Sequence, residues 1–411
     1  MCRALLAIAF RIHFVKHRRP SRAAVLFPIA TALLGCLALS RVIPADGQKI
    51  ATAFAIIGLQ YHWRKSLPAD GGKGVYAVRA VWIVALLWIL IYSYMILASI
   101  DFGAGYYYFY GQVIAKKNTA FSLIQHYLSP VTEIGNVCFV LLLAALTVFS
   151  QAIPLADQQC LAFSALTGVA LILIKGTFYA VVQLLQGHRR VQRFCIAGNG
   201  MTGLLIPPIL GISLVVSEGG VVDAAANGGS GAIVAYLLAN PYFWSVMCIT
   251  LVSIFYIGSM YFTAFAHVLH DETLSDIMRE HALVWSMPTV LASGFVFLGL
   301  EMQNPAHFNR ALDHWWLFLL SLICLFFAVA LVFLKRWYRL SFLFVMLQYF
   351  FAFSGYLLSH LPYLIYPDVR IPSAAAATVN GWIFFTVLLL SLTVVLFTLN
   401  LHGAAVRKMT S

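Results

Sequence analysis

Long hydrophobic stretches with few charges recur nine times between residues 78 and 400 of the chain. Each is about 20 residues long or longer, which is the length that an α-helix needs to cross the hydrocarbon core of a bilayer. Lipid offers no hydrogen-bond partner to an unpaired backbone group, so each stretch is predicted to be helical. The sequence therefore predicts an all-α polytopic membrane protein with a nine-helix core bundle. The approximate limits of the predicted spans are 78–103, 131–153, 160–186, 194–216, 241–266, 282–302, 315–334, 340–360 and 376–400.

Positive charge alternates between the connections that join these spans. The segments after odd-numbered spans hold eleven Lys or Arg residues, whereas those after even-numbered spans hold only Arg310 and Arg370. Cytoplasmic loops carry an excess of Lys and Arg, so the odd-numbered exits are predicted to be cytoplasmic. The first span then starts near Val78 on the outer side, and the C-terminus is cytoplasmic. The eleven cations are Lys116, Lys117, Arg189, Arg190, Arg193, Arg279, Lys335, Arg336, Arg339, Arg407 and Lys408.

The region before the first span fits this pattern less well. It holds the basic leader "FRIHFVKHRRPSR" and a weaker apolar stretch near 24–43. It is consistent with an extra signal-anchor helix, a secretory signal, a lipoprotein-type site at Cys36, or a true translation start near Val75. The predicted organisation is an N-terminal extension over 1–77, a membrane domain over 78–403 and a cytoplasmic tail over 404–411.

Composition excludes a water-soluble protein. The chain is 62% hydrophobic and only 10% charged, with a mean hydropathy of +0.89, whereas soluble domains carry about 25% charged residues. The basic loops account for the net charge of +12 without a nucleic-acid partner. Seven cysteines show no CxxC spacing, and no nucleotide-binding, protease or hydrolase motif is present. The sequence therefore indicates no metal, catalytic or cofactor-binding residues in this chain.

Three ionisable residues within or next to the predicted spans are the candidate site: Asp101, Glu133 and Lys175. Charges at these depths are expensive, and they mark either ion pairs or proton pathways. A buried carboxylate near a lysine can exchange protons near neutral pH, because burial raises its pKa while the cation lowers it. Two interpretations stay open here, a network that only holds helices together and a proton path. Three small residues, Gly103, Gly105 and Gly135, leave room for close helix packing or water beside these side chains.

Other polar groups are predicted to be ordinary residues of the membrane surface. Glu301 ends the sixth span on the outer side, where a solvated helix end is expected. His126, His267 and His360 lie near span ends, where imidazole tips reach water more often than they bind haem iron. The segment 218–231, "EGGVVDAAANGGSG", is predicted to be a mobile outer loop without chemistry.

Six segments in order resemble subunit II of the cytochrome bd-type quinol oxidases, in the shorter Gram-positive-type branch, over residues 78 to 403. The strongest are "YSYMILASIDFGAG" in the first span, similar to an acidic signature with paired glycines, and "LSPVTEIGNV" at the second. The others are "KGTFY", "REHALVWSMPTVLASG", "EMQNPAHF" and "LPYLIYPDVRIPSAAA".

This resemblance implies a bacterial cytoplasmic-membrane protein that carries no haem itself. Its partner, subunit I, would hold the b-type and d-type haems and the quinol site, and would reduce oxygen with cytoplasmic protons. Subunit II would pack beside it and help to conduct those protons. The matching residues here are Asp101, Glu133 and Lys175, with Glu where many members have Asp and Lys where Arg is common. Small accessory subunits and a structural quinone or lipid are further expectations from the resemblance.

Two other classes of protein remain open at this point. A proton-coupled secondary transporter would use the same buried acids, and broken helices would favour it. Only Pro207-Pro208 in the fourth span hints at such a break. A purely structural membrane scaffold would use the charges only to hold helices together.

Overall fold

The structure is a computed structural model of the chain that describes residues 73–114, 124, 132, 135–143, 153, 155–184, 189–220 and 231–370. In this part of the chain, seven helices are long and apolar enough to cross a membrane. They correspond to the first and to the third through eighth predicted spans, which confirms the all-α polytopic fold. The second span is described as a helix over 135–143, and the ninth lies outside the described residues, as does most of the N-terminal extension.

Ten helices and one small hairpin make up the described fold. In chain order they are α1 (Lys73–Phe109), α2 (135–143), α3 (Leu155–Leu184), α4 (Arg189–Ser217), α5 (231–239), α6 (Pro241–Val268), α7 (Glu272–Gln303), α8 (Pro305–Asp313), α9 (Trp315–Phe333), α10 (Tyr338–His360), β1 (Tyr363–Ile365) and β2 (Val369–Arg370).

Two helices are longer than the apolar stretches that predicted them. After α1, the chain continues in a π-helical turn to Ile114, beyond the predicted end at residue 103. The charged segment 272–281 was predicted to be a loop rather than a helix, and this is wrong because the segment forms the first turns of α7. The Asp271 side chain caps that helix by accepting the Leu274 N–H at 3.0 Å. Hydropathy marks the part of a helix that lies in lipid, whereas capping residues mark where the helix begins.

Helix α6 lies at the centre of the bundle and packs against α1, α4, α7 and α10. Its start is defined by Pro241 in the first turn and by Asn240, whose side chain accepts the Tyr242 N–H. Ile254, Tyr256 and Ile257 in its middle are completely buried. The α6 helix therefore supplies the core against which the helices bearing the candidate site are placed.

Helix α4 remains continuous through Pro207 and Pro208. It packs along α3 and against both α1 and α6. The break that Pro207-Pro208 suggested in the fourth span is therefore absent, and packing against the neighbouring helices stabilises α4 as a continuous helix.

The hairpin of β1 and β2 follows α10 and is hydrogen-bonded to the end of α4. Tyr366, in the turn of the hairpin, donates its backbone N–H to the Ser217 carbonyl at 2.9 Å. The ends of α4 and α10 and the start of α8 therefore lie together at one end of the bundle.

Candidate functional site

Asp101 of α1 and Lys175 of α3 form a buried ion pair. The Lys175 Nζ lies 2.7 Å from the Asp101 Oδ2, and each side chain is 8% exposed. The Thr132 hydroxyl donates a hydrogen bond to the other carboxylate oxygen, Oδ1. The ammonium also lies 5.3 Å from the centre of the Phe102 ring. Both charges are thus compensated in a region from which water is largely excluded.

The two charges meet because they lie at matching depths in two helices that both pack against α4. Asp101 precedes the end of α1 by eight residues and Lys175 precedes the end of α3 by nine. At 1.5 Å per residue these distances are about 12 and 14 Å. Since α1 is extended beyond the predicted span, Asp101 lies well inside its helix rather than near its end.

A cavity of about 30 Å³ adjoins the pair. Its walls include Tyr94, Asp101, Asn136, Lys175 and Asn199, which come from α1, α2, α3 and α4. The Tyr94 hydroxyl and the Asn199 Oδ1 are buried and make no hydrogen bond to the described residues. A cavity of this size has room for about two water molecules, and unpartnered buried polar groups such as these are the usual partners of such water.

The predicted packing glycines have different surroundings. A Cβ on Gly103 would lie 3.0 Å from the Ile254 carbonyl oxygen and 3.2 Å from the Gly258 Cα, so α1 and α6 cross here in close backbone contact. Beside Gly105 the nearest group is the side chain of Asn199, 3.6 Å away from such a Cβ. Gly135 lines the cavity, and a Cβ there would have no neighbour within 4 Å among the described residues.

The remaining predicted acids do not join this pair in the described structure. Glu133 lies outside the described residues. Glu301, near the end of α7, is exposed, as expected for a residue at a helix end.

A second buried polar cluster lies at the other end of the bundle, and sequence reasoning missed it. It consists of Glu218, His307 and His360, named here the Glu–His–His cluster. The His307 Nδ1 lies 2.9 Å from the Glu218 Oε1, and the His360 Nδ1 lies 3.4 Å from the same oxygen. Tyr356 and Asn304 also donate hydrogen bonds to this carboxylate. The cluster joins the end of α4 to α8 and α10.

The surroundings of Glu218 favour its ionised form despite burial. Burial raises the pKa of the carboxyl, but the interactions with the nearby rings of His307 and His360 together outweigh it. The pKa is therefore held well below the usual range of a glutamate. A buried carboxylate that stays charged requires partners of positive charge or strong donors around it.

Two sequence-based predictions fail at this cluster. The loop 218–231 was expected to have no chemistry, but its first residue is 2% exposed and is held by four side chains. His360 was expected to reach water, yet its side chain is only 7% exposed. One sequence feature could have indicated the cluster. The fourth, sixth and eighth predicted spans all end on the same side of the membrane, and each carries an acid or a histidine at or near that end. His267, by contrast, is exposed as expected, and His126 lies outside the described residues.

Haem does not fit the buried histidines of the described part of the chain. Both His307 nitrogens face hydrogen-bond partners, and His360 is enclosed by Glu218 and the Leu364 carbonyl. Neither ring presents a nitrogen to a space that could hold a porphyrin.

The helices and the buried pair define a polytopic membrane protein with an ion pair in its interior. Residues 78–401 match the family described as cytochrome bd terminal oxidase subunit II. The chain belongs to this family, and it is therefore one subunit of a haem-containing oxidase complex. The resemblance given by the sequence motifs is confirmed.

Two relatives agree with this assignment. A Bacillus subtilis (strain 168) protein named "Putative cytochrome bd menaquinol oxidase subunit II" is 24% identical over 302 residues, which cover 71% of this chain and 84% of that protein. A chain in a solved structure of the bd oxidase from Geobacillus thermodenitrificans is 31% identical, with a TM-score of 0.63. That match covers 78% of this chain and 98% of the other.

Proposed function

We propose that this chain stabilises the haem-bearing subunit I of a bacterial quinol oxidase and helps to conduct cytoplasmic protons toward the site of oxygen reduction. One observation carries the proton role. The Asp101–Lys175 pair adjoins a cavity with room for water, and that cavity has two further buried polar groups without partners among the described residues. A site that only held helices together would not require this unsatisfied polar lining.

The geometry supports proton exchange between the two side chains and cavity water. A proton can move along the 2.7 Å hydrogen bond from the Lys175 Nζ to the Asp101 Oδ2, which leaves a neutral amine and a neutral acid. The amine then takes a proton from water, and the acid releases its proton to the next acceptor. Lysine can lose its proton when buried, whereas arginine cannot, so Lys175 can take part in the transfer. Glu133, the residue after Thr132, is the proposed further acid of this path.

The wider assignment follows from the family and the sequence. Subunit I would carry the b-type and d-type haems and the quinol site, and this chain alone would not catalyse the reaction. The name of the Bacillus subtilis relative supports menaquinol as the electron donor. The charge bias supports a multi-pass protein of the bacterial cytoplasmic membrane with a cytoplasmic C-terminus. Accessory subunits and a bound quinone or lipid belong to the same proposal.

Purification of the complex by a tag after Ser411 tests this function directly. A second large subunit, haem b signals in the reduced-minus-oxidised spectrum and quinol-driven oxygen uptake are expected. Asp101→Asn should then lower oxygen uptake at least tenfold in an assembled complex, and Glu301→Gln, a change of an exposed acid, should not. Normal turnover in an assembled Asp101→Asn complex would exclude the proton role, and a colourless chain without a partner would contradict the oxidase assignment.

The transporter alternative has no specific support in the described structure. A discontinuous helix would have favoured it, and α4 is unbroken at Pro207 and Pro208. The scaffold alternative predicts that Asp101→Asn prevents assembly, which the same purification would reveal.

A further inference from the structure

The Glu–His–His cluster is remote from the proposed proton path. Along α4, Glu218 follows Asn199 by 19 residues, which corresponds to about 29 Å of helix. The charge bias places this end of the bundle on the outer side. The proposed proton role of Asp101 and Lys175 therefore does not explain why a carboxylate and two imidazoles are buried together here.

The hydrogen bonds at the far side of each ring show where the ring protons lie. The His307 Nε2 lies 3.0 Å from the Tyr356 carbonyl oxygen, and the His360 Nε2 lies 3.4 Å from the Leu364 carbonyl oxygen. The hydroxyl of Ser359, also next to His307, already donates to a backbone carbonyl. Because carbonyl oxygens only accept, each Nε2 carries a hydrogen, and a neutral imidazole has only one N–H.

Each neutral ring therefore directs the lone pair of its Nδ1 toward the cluster. Both Nδ1 atoms face the Glu218 Oε1, at 2.9 and 3.4 Å, so three ligand atoms converge on one buried point. The His360 Nδ1 is buried and makes no hydrogen bond of normal geometry to the described residues. A proton on one ring satisfies only the Nδ1 of that ring, and protons on both would place two cations, with ring centres 5.0 Å apart, beside one carboxylate. A metal ion between the three atoms binds both ring nitrogens and the carboxylate at once.

We propose that Glu218, His307 and His360 bind a divalent transition-metal ion, with Zn²⁺ as the best match, through one carboxylate oxygen and two Nδ1 atoms. The three ligand atoms lie within 4.8 Å of one another. Zinc binds nitrogen and oxygen at about 2.0–2.2 Å, so tetrahedral ligands are about 3.3 Å apart, and the two measured separations are close to this. Two histidines and one carboxylate form a known zinc ligand set that leaves a fourth position for water.

The surroundings of the cluster match those of a metal site. Metal-binding histidines commonly donate their second N–H to a backbone carbonyl, as His307 and His360 do here. Asn304 and Tyr356 donate hydrogen bonds to Glu218 and orient its carboxylate. The ion would connect the end of α4 to α8 and α10, and its role would be to hold these three segments together on the outer side.

Zinc content of the intact complex tests this site. The complex is purified without a polyhistidine tag, incubated with ZnCl₂ and desalted, and metal is measured by mass spectrometry relative to haem. About one zinc per complex is expected, with an X-ray absorption spectrum that shows imidazole ligands at about 2.0 Å. His360→Ala should reduce this zinc at least tenfold. His314→Ala is the matched control, because this histidine, just beyond the end of α8, lies outside the cluster and contacts the Arg310 carbonyl.

Three results would overturn the proposal. The first is a wild-type complex with no more zinc than His360→Ala. The second is zinc that remains unchanged in both His360→Ala and Glu218→Gln. The third is zinc whose absorption spectrum lacks imidazole. If His360→Ala does not assemble, Glu218→Gln, which nearly preserves size and hydrogen bonding, replaces it, and the wild-type spectrum decides independently of either variant.

Discussion

Substitutions can remove the two charges of the Asp101–Lys175 ion pair one at a time. Asp101→Asn keeps the size of the side chain and an acceptor for Thr132, but it leaves the Lys175 ammonium without a counterion. Removal of one partner from a buried pair costs about 3–5 kcal/mol. Both side chains are only 8% exposed, so water screens little of this effect. We expect about 3 kcal/mol, because the asparagine oxygen can still accept a hydrogen bond from the lysine.

The double variant Asp101→Asn/Lys175→Met removes the uncompensated charge as well. Replacement of a whole buried pair by uncharged groups is often nearly neutral, so stability should return to within about 1 kcal/mol of the wild type. The assay is the rate of thermal inactivation of the purified complex, followed by the loss of haem absorbance. If the whole loss of 3 kcal/mol lowers the barrier to inactivation, the inactivation rate rises about a hundredfold. Quinol-driven oxygen uptake is measured on the same samples before heating.

The two readouts together separate a proton path from a static link between helices. We expect the double variant to regain stability but not turnover, because neither replacement can exchange a proton. Recovery of both would show that the pair only holds α1 and α3 together. An Asp101→Asn complex that inactivates at the wild-type rate would refute the premise that Lys175 is buried with its charge.

Three further changes probe the packing and the polar contacts. Gly103→Leu should reduce assembly of the complex severely, because its Cβ would meet α6 backbone atoms at 3.0 and 3.2 Å, whereas Gly135→Ala should leave the yield of haem-containing complex unchanged. Lys175→Arg should preserve thermal stability but lower oxygen uptake, since arginine keeps the charge and does not release a proton; unchanged uptake would mean that Lys175 never deprotonates. Tyr356→Phe removes a donor to Glu218 and should lower stability by about 1–3 kcal/mol, measured by thermal inactivation.

Hydropathy predicted most of the fold, because it follows directly from the bilayer as solvent. Asp101 and Lys175 were predicted to lie at comparable depth in nearby spans, but the predicted span ends at 103 and 186 put them at different distances from a helix end. Their matching distances follow from the structure, in which the first helix extends to Phe109. The Glu–His–His cluster was not predictable, because Glu218 and His307 are 89 residues apart and the segment "EMQNPAHF", which contains His307, does not indicate its partners. Hydropathy indicates which residues lie at a span end, but not which spans are neighbours or which way a side chain turns. Helix ends were misplaced for a related reason, since Asp271 starts α7 by hydrogen bonding that hydropathy does not detect.

The charged first turns of α7 show how deep neighbouring residues of the bundle lie in the membrane. The apolar part of this helix begins just after His281, which therefore lies close to the membrane surface. Its ring contacts Tyr107 and Tyr110 of the first helical segment, with centres 5.4 and 5.2 Å apart, so those tyrosines lie at the same level. Asp101 is six residues from Tyr107 and nine from Tyr110 toward the bilayer centre, or about 9 and 14 Å deeper. The buried carboxylate therefore lies in the nearer half of a hydrocarbon layer about 30 Å thick.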